Sequence, residues 1–368
     1  MSIPDNDSPG EWCEKSRLAV LCEGGSICSN ASHKASKGVV KDMVGTLSRG
    51  LRSRFHQVGV TTYGRRLVQS REVTPERIED FVQVLRRLLE TRKSVIALVS
   101  TFHAPDYATA VSEAVPPQSL QLDPPEDSRT HKSLILACSS GTAEDDRTDA
   151  YSTLRDAVCL SSKSDMANRA GLLYQGRVYA LPGLQRRGEP TTFDSRFPSI
   201  ARKQGDEWYF HPERKPEQLP IGEGGEYRLD PSVQTFDLED AEEQVVSSVG
   251  TARKRGLRGM VLRTSRGRDP QGRFAENQQV LQVLNEMEVP GILVGSQLQQ
   301  AGGNGNHSHA QRAESPYEYI CDGGAFTSTE ARMLLAHWVS LFHDHLLDKA
   351  GEQAGFVSQM IEKHPFRN

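Results

Sequence analysis

The sequence predicts an α/β protein with two domains: a large N-terminal domain on a doubly wound, mainly parallel sheet, and a smaller C-terminal α/β domain. Three observations support this prediction. Short apolar runs recur along the first half of the chain, each followed by a polar turn and a helical pattern. The same alternation begins again near residue 232. A chain of 368 residues also exceeds what a single hydrophobic core usually serves.

The first apolar run, residues 18–22, predicts a buried strand that ends at the glycine pair Gly24 and Gly25. Glycine permits backbone angles and close approaches that a Cβ atom would block. Because doubly wound sheets bind ligands at the carboxyl ends of their strands, this turn is a candidate ligand contact; an ordinary strand-to-helix turn is the alternative. A third glycine and a following lysine are missing, which excludes a dinucleotide fingerprint and a P-loop.

Two further apolar runs, residues 95–99 and 134–137, predict buried strands that also end in polar turns. The first of these turns contains His103 and Asp106. The other elements of the large domain follow from periodicity and cap signals. They are a helix over residues 75–89 with Thr74 as its N-cap, a helix over 151–160, and a hairpin over 172–181.

The domain boundaries follow from changes in composition. Residues 1–17 are a polar tail, residues 18–203 the large domain, residues 204–231 a linker rich in Pro, Gly, Glu and Lys, and residues 232–368 the small domain. The elements predicted for the small domain share the strand-then-helix alternation. They are strands over 232–236, 259–263 and 291–294, helices over 238–254 and 275–288, and a closing helix over 331–347 behind a capping box at Thr327 and Glu330.

Composition limits the partners that we expect. The 44 Lys and Arg residues are dispersed and the net charge is −4, so no nucleic-acid partner is predicted. No apolar run approaches the ~20 residues of a membrane span, and the N-terminus lacks the apolar core of a signal peptide, so we expect a cytoplasmic protein without a membrane partner. The six cysteines form no CxxC pair, and neither a metal nor a cofactor is predicted.

Five segments of the chain form a pattern, and their order along the chain identifies a fold more specifically than any single segment does. They are Leu21-Cys22-Glu23-Gly24-Gly25-Ser26-Ile27; Ser70 ahead of Thr74-Pro75-Glu76; Asp149 with Leu154, Ala157 and Val158; Gly259-Met260-Val261-Leu262; and Cys321-Asp322-Gly323-Gly324 with Thr327 to Arg332. Together they resemble the motifs of the bacterial-type L-asparaginase family, whose first signature is Thr-Gly-Gly-Thr-Ile after an apolar strand. The resemblance implies a large and a small α/β domain and the hydrolysis of a side-chain amide.

The resemblance also implies catalytic groups that this sequence lacks. In the family a threonine of the first signature attacks the amide, aided by a second threonine, an aspartate and a lysine. Here Glu23 stands in place of the nucleophile, and a carboxylate is a poor nucleophile toward an amide. The family's His-Gly-Thr-Asp becomes His103-Ala104-Pro105-Asp106, and residues 185–187 offer two arginines where the family has its lysine. Ordinary asparagine hydrolysis is therefore predicted to be very slow or absent.

The candidate site residues lie in the turns that follow the predicted strands, and they divide into two groups. The catalytic candidates are Glu23, Ser26, His103 and Asp106, and the substrate-binding candidates are Gly24, Gly25, Ser70 and Arg71. His103 and Asp106 are interpreted as a base and its partner, with an ordinary loop histidine as the alternative. Use of Ser26 as the nucleophile would require the glycine turn to move.

Three functions are compatible with the sequence. The first is an asparaginase-like amidohydrolase by descent that acts on or binds a small amino-acid amide or dicarboxylate with a rebuilt or impaired site. The second is a non-catalytic ligand-binding or regulatory pseudoenzyme on the same scaffold, and the third is a different acyl or amide reaction. The resemblance also implies a homodimer or homotetramer in which the small domain of one subunit closes the site of its neighbour.

Overall fold

The computed structural model describes residues 18–24, 26–28, 39, 42, 58–62, 73–92, 94–115, 132–142, 149–166, 169–188, 191–195, 197–211, 227–264, 274–295, 315–324, 326–345 and 350–363. The predicted polar tail lies outside these residues. Within the described ranges, no helix combines the length and apolar composition that a bilayer span requires.

An eight-stranded sheet forms the centre of the first part of the chain. Its strands are β1 (Leu18–Cys22), β2 (Val58–Thr62), β3 (Ser94–Leu98), β4 (Ser133–Ala137), β5 (Arg169–Tyr174), β6 (Arg177–Ala180), β9 (Ala201–Gln204) and β10 (Glu207–Phe210). They are ordered β10-β9-β6-β5-β4-β3-β1-β2, and β1 to β5 run parallel. Two short strands, β7 (Gln185–Arg187) and β8 (Thr192–Asp194), pair separately.

Apolar residues on both faces explain why β1, β3 and β4 are completely buried. Three helices accompany them: α1 (Pro75–Thr91), α2 (Ala104–Ala114) and α3 (Ala150–Ser161). One face of β1, β3 and β4 packs in a core cluster with α3, and the alternate residues face α1 and α2. The ring of Phe81 on α1 meets that of Tyr107 on α2 edge to face, with centroids 4.8 Å apart.

The strand order places a topological switch point between β1 and β3. After β1 the chain adds β2 on one side, and it then returns to add β3 on the other side. In sheets of this kind the loops at the carboxyl ends of the two strands diverge and leave a crevice between them. This crevice is bordered by the residues that follow Cys22 and Leu98.

The second part of the chain forms a separate four-stranded parallel sheet in the order β11-β12-β13-β14. Its elements are β11 (Val233–Asp237), α4 (Glu242–Lys254), β12 (Gly259–Thr264), α5 (Gln278–Asn285), β13 (Gly291–Gly295), β14 (Ile320–Asp322), α6 (Ser328–His345) and α7 (Ala350–Lys363). This sheet and the larger one confirm the predicted fold class.

The chain divides into two compact units. The first runs to Leu181 and includes Arg186–Phe193 and Pro198–Ile221, and the second comprises Pro182–Gln185, Asp194–Phe197 and Gly222–Asn368. The strand β10 lies within residues 204–231, which the sequence predicts as a linker, and it pairs antiparallel with β9. The boundaries proposed from the sequence stay a prediction.

The helices α2 and α7 and the strands β9 and β10 do not follow from the sequence pattern. The turn predicted over residues 100–106 is shorter than expected, because α2 begins at Ala104 and Asp106 lies in its first turn. Pro105 is compatible with this start, since proline at the beginning of a helix loses no hydrogen bond. The helix α2 is buried on most of its surface, so it lacks the amphipathic periodicity that marks α1.

The predicted capping box at the start of α6 is confirmed and offers a stability test. The Thr327 backbone N–H donates to Glu330 Oε2 at 2.9 Å, and the Glu330 backbone N–H donates to Thr327 Oγ1 at 3.0 Å. We expect Thr327→Ala to lower the unfolding free energy of the second unit by about 1–2 kcal/mol, because an orphan N–H group loses its acceptor. Thermal denaturation followed by circular dichroism measures the loss of stability, with Thr327→Ser as the control that keeps the hydroxyl. Equal unfolding midpoints for the two variants would contradict a stabilising role of the cap.

Candidate active site at the switch point

The carboxyl end of β1 holds Glu23 directly against β3. The Glu23 backbone N–H donates to the Leu98 carbonyl at 3.0 Å, so the ladder between the two strands extends by one residue beyond β1. The next residue, Gly24, is buried and has a φ of 145°, a backbone conformation that favours glycine over residues with a side chain. The turn that follows β1 therefore depends on glycine at this position, as the sequence pattern indicates.

The Glu23 carboxylate is bonded on both oxygens. Nε of Arg77, in the first turn of α1, lies 2.6 Å from Oε1, and Nη2 donates to Oε2 at 3.2 Å and to the Glu23 carbonyl at 3.4 Å. The Tyr107 hydroxyl, on α2, donates to Oε1 at 2.8 Å. The Glu23 side chain is 2% exposed and that of Arg77 is 17% exposed, so solvent screens this ion pair weakly.

Burial and hydrogen bonding act against each other on the charge of Glu23. Burial raises the pKa of this carboxyl above its ordinary value, and the bonds and charge of Arg77, followed by the bond from Tyr107, offset part of the rise. Burial, together with the neighbouring Glu23 charge, also raises the pKa of Tyr107 well above its ordinary value, so the phenol stays a donor. A carboxylate held in this way is a poor nucleophile, because its lone pairs already accept hydrogen bonds.

A histidine and an aspartate form a pair where β3 leads into α2. Nδ1 of His103 lies 2.8 Å from Oδ2 of Asp106, and the two side chains are 19% and 11% exposed. If Nδ1 carries the proton that is shared with Asp106, the other ring nitrogen, Nε2, is an acceptor. This is the arrangement in which a histidine acts as a general base.

An exposed aromatic ring and an arginine stand beside this pair. Phe102 is 56% exposed, and its ring meets that of His103 edge to face at 4.9 Å between centroids. The guanidinium carbon of Arg186 lies 5.0 Å from the centre of the Phe102 ring, within the range of a cation–π contact. Nη2 of Arg186 also donates to Oγ1 of Thr191 at 3.2 Å. The loop after β3 therefore presents an aromatic surface with a positive charge over it.

The loop after β4 adds a third carboxylate, that of Asp149. Thr101 Oγ1 donates to the Ser139 carbonyl at 2.7 Å, which connects the loops that follow β3 and β4. The backbone N–H and the hydroxyl of Ser140 both donate to Oδ1 of Asp149 at 2.7 Å. Burial, and then the charge of Asp149, raises the pKa of Tyr174 to about 12.

The predicted site residues divide by what the structure describes. Glu23 and Gly24 lie at the end of β1, and His103 and Asp106 lie at the end of β3, the neighbouring strand. Tyr107 connects the two pairs, because it follows Asp106 in the chain and bonds Glu23. Ser26 begins a short 3₁₀ turn over Ser26–Cys28, of which the structure describes the backbone at this residue. Gly25, Ser70 and Arg71 lie outside the described residues, and their contact with a ligand stays a prediction.

The partners of Glu23, Arg77 and Tyr107, were not predicted from the sequence. Arg77 is the third residue of α1, just after the Thr74 N-cap, and Tyr107 lies one helical turn after His103. One feature of the sequence indicated that such partners exist. Glu23 is an acidic residue at the end of a buried strand, and a buried carboxylate requires a cation or a hydrogen-bond donor nearby. The described residues contain no group of three His, Cys, Asp or Glu side chains that could hold a metal ion.

Comparison with solved structures identifies the fold. The chain is similar to a probable cytoplasmic L-asparaginase from Campylobacter jejuni, with 14% identity and a TM-score of 0.66, over 93% of this chain and 99% of that chain. It is also similar to the thermostable L-asparaginase from Thermococcus kodakarensis, with 17% identity and a TM-score of 0.62, over 94% and 98%. No protein-family model and no curated protein matches the chain. At such low identity the likeness shows an asparaginase-like fold alone.

The ion pair between Glu23 and Arg77 provides a test of the site's construction. We expect Glu23→Ala to destabilise the protein by about 2–4 kcal/mol, because Arg77 keeps a largely buried charge without its partner. Adding Arg77→Met should restore part of that loss, so the double variant should be more stable than the sum of the two single losses implies. Chemical denaturation of the two single variants and the double variant measures the coupling. Additive losses would show that the two side chains do not act as a pair.

Proposed function

We propose that this protein is asparaginase-like by descent and binds a small amino-acid amide or dicarboxylate at the carboxyl ends of β1, β3 and β4, without threonine-type amide hydrolysis. In this proposal Glu23 is a structural residue that closes the base of the site. The observation that carries the proposal is the engagement of both Glu23 oxygens by Arg77 and Tyr107. The Glu23 carboxylate, at the position of the family's nucleophile, therefore has a structural role in this proposal.

The side chains beside these strand ends are complementary to a small polar ligand. Arg186 supplies a positive charge for a carboxylate, and Phe102 supplies an apolar wall. The charge of Glu23 is balanced by Arg77, so it does not repel an anionic ligand as an unpaired carboxylate would. Gly24, Gly25, Ser26, Ser70 and Arg71 are proposed as further contacts from their positions in the sequence.

One observation favours a second candidate, a slow hydrolase with a rebuilt site. The contact between His103 and Asp106 orients the imidazole so that Nε2 can accept a proton from water. In that case the histidine, rather than Glu23, would be the base, and water would attack the amide directly. Such a reaction lacks a covalent intermediate and a positioned cation, so it would be slow.

Two experiments on purified protein separate these candidates. We expect calorimetry to detect binding of aspartate or asparagine, and ammonia release from asparagine to stay at least ~1000-fold below the ~10 per second of a typical enzyme. Arg186→Met should weaken binding about tenfold, since a hydrogen bond to a charged group contributes about 1.5–3 kcal/mol. Arg187→Met is the matched control and should leave affinity unchanged.

Residual ammonia release from asparagine would support the second candidate, the slow hydrolase with a rebuilt site. Loss of that release in His103→Ala, with binding retained, would support His103 as the base. Turnover comparable to that of a typical enzyme would contradict the proposal of a binding protein. Failure of every tested amino acid, amide and dicarboxylate to bind would contradict both candidates.

We also propose that the small domain spans residues 232–368 and that the protein forms a homodimer or homotetramer in the cytoplasm. The asparaginase-like fold supports this proposal. Met333, Leu334 and Trp338 of α6 do not, because all three are buried within the chain. Light scattering at micromolar concentration should give at least twice the chain mass of 40.8 kDa. A monomer across the tested concentrations would contradict the proposed assembly.

A further inference from the structure

The strand β10 ends the large sheet with an edge that is rich in aromatic residues. Its sequence is Glu207-Trp208-Tyr209-Phe210, and Tyr209 is 51% exposed. Trp208 and Phe210 are only partly buried against the core cluster that contains α3. Among the described strands β9 alone pairs with β10, in an uninterrupted register. Proteins usually protect such an edge with a lysine, a proline or a bulge, and β10 has none of these.

The backbone hydrogen bonds show which groups of β10 face the free edge. The backbone N–H of His211, the residue after β10, donates to the Ile200 carbonyl at 3.0 Å. Lys203, which lies opposite Trp208, donates its backbone N–H away from β10, into the turn between β5 and β6. Bonded and non-bonded pairs alternate along an antiparallel ladder, so every second residue counted back from His211 bonds β9. The N–H and C=O groups of Trp208 and Phe210 therefore point to the free edge.

We propose that this edge binds the same edge of a second copy of the chain, antiparallel about a two-fold axis at Tyr209. Each Trp208 then lies opposite Phe210 of the partner subunit, and these residues exchange hydrogen bonds through the backbone groups that point outward. Tyr209 lies opposite Tyr209 of the partner subunit, and the two eight-stranded sheets continue into each other. The inference rests on the association proposed above and names the surface that carries it.

The side chains of the edge are complementary to themselves in this register. Trp208 and Phe210 stay on the face of the core cluster, and their pairing across the axis covers aromatic surface that the single chain leaves partly exposed. On the other face the exposed Glu207 lies opposite the exposed His211 of the partner subunit, a carboxylate against an imidazole. A shift of the register by two residues would place Glu207 opposite Tyr209 of the partner subunit and lose that pair.

This self-complementarity favours a second copy over an unrelated strand. A two-fold interface requires that one surface match itself, and here an acidic end and an imidazole end flank a row of aromatic residues. In the strand order β10 is at the end of the sheet opposite β1 and β2. Association through β10 is therefore separate from the candidate site, and ligand binding and association can be tested independently.

A charged variant on the two-fold axis tests the proposed surface. In Tyr209→Glu two carboxylates would face each other across the axis, whereas within the chain the new carboxylate lies opposite Arg202, so the hairpin should fold. We expect light scattering on the full chain to show half the mass of the wild-type assembly, and the dissociation constant to rise at least about tenfold. Tyr151→Glu is the matched control, because Tyr151 is 40% exposed but lies on α3; the mass should not change.

A cysteine at the axis tests the register. In Tyr209→Cys the two copies of the residue form a non-bonded antiparallel pair, whose Cα atoms lie about 4.5 Å apart, within reach of a disulfide. Oxidised glutathione should therefore link two chains of this variant, with the protein thiols oxidised and glutathione reduced. Glu207→Cys is the control, because its two copies lie several residues apart along the paired strands and should not link.

The outcomes separate this inference from the proposed assembly. An unchanged mass in Tyr209→Glu, or equal cross-linking of the two cysteine variants, would overturn the inference. A wild-type protein that still associates would then use another surface, and the proposed homodimer or homotetramer would stand. A wild-type monomer would contradict the assembly and this inference together, and it would leave the proposed ligand site untouched.

Discussion

The bidentate contact between Arg77 and Glu23 is the constraint on which the site depends. It joins the end of β1 to the first turn of α1, and the Tyr107 hydroxyl extends it to α2. A buried carboxylate without these partners would carry a desolvation cost that the fold could not offset. The same contact occupies the group that stands where an amide-cleaving nucleophile would be expected, so one interaction both stabilises the switch point and accounts for the proposed loss of hydrolysis.

The carboxylate of Asp149, after β4, differs from that of Glu23 in its hydrogen bonds. Asp149 is fixed by Ser140 on one oxygen and is unsatisfied on the other, whereas Glu23 is satisfied on both. Groups that are fully bonded within a protein contribute to its stability, and groups that are positioned but left unsatisfied are typical of binding sites, where stability is given up for function.

The fold was largely predictable from the sequence because its strands are short, apolar and buried on both faces. The runs at 18–22, 95–99 and 134–137 are typical of central parallel strands. Thr74 and Thr327 indicated helix starts, because threonine is a favourable N-cap residue. The helix α2 was missed because burial on most of its surface removes the periodicity on which sequence interpretation depends. The antiparallel strand β9 is mostly polar, and β10 lies within residues 204–231, where composition indicated a linker.

The site was less predictable, because its decisive contacts join residues far apart in the chain. Glu23 and Arg77 are 54 positions apart, and no local pattern announces their pairing. The pairing of His103 with Asp106, three positions apart, was proposed for two residues of one predicted turn, and the side chains meet where β3 leads into α2. The orphan oxygen of Asp149 becomes visible only once the loops are folded.

A crystal structure of the protein with bound aspartate would test the central claim most directly. We expect the Glu23 carboxylate to keep its bonds to Arg77 and Tyr107 while the ligand lies beyond it. A Glu23 side chain released from Arg77 and turned toward the ligand's acyl carbon would contradict the account.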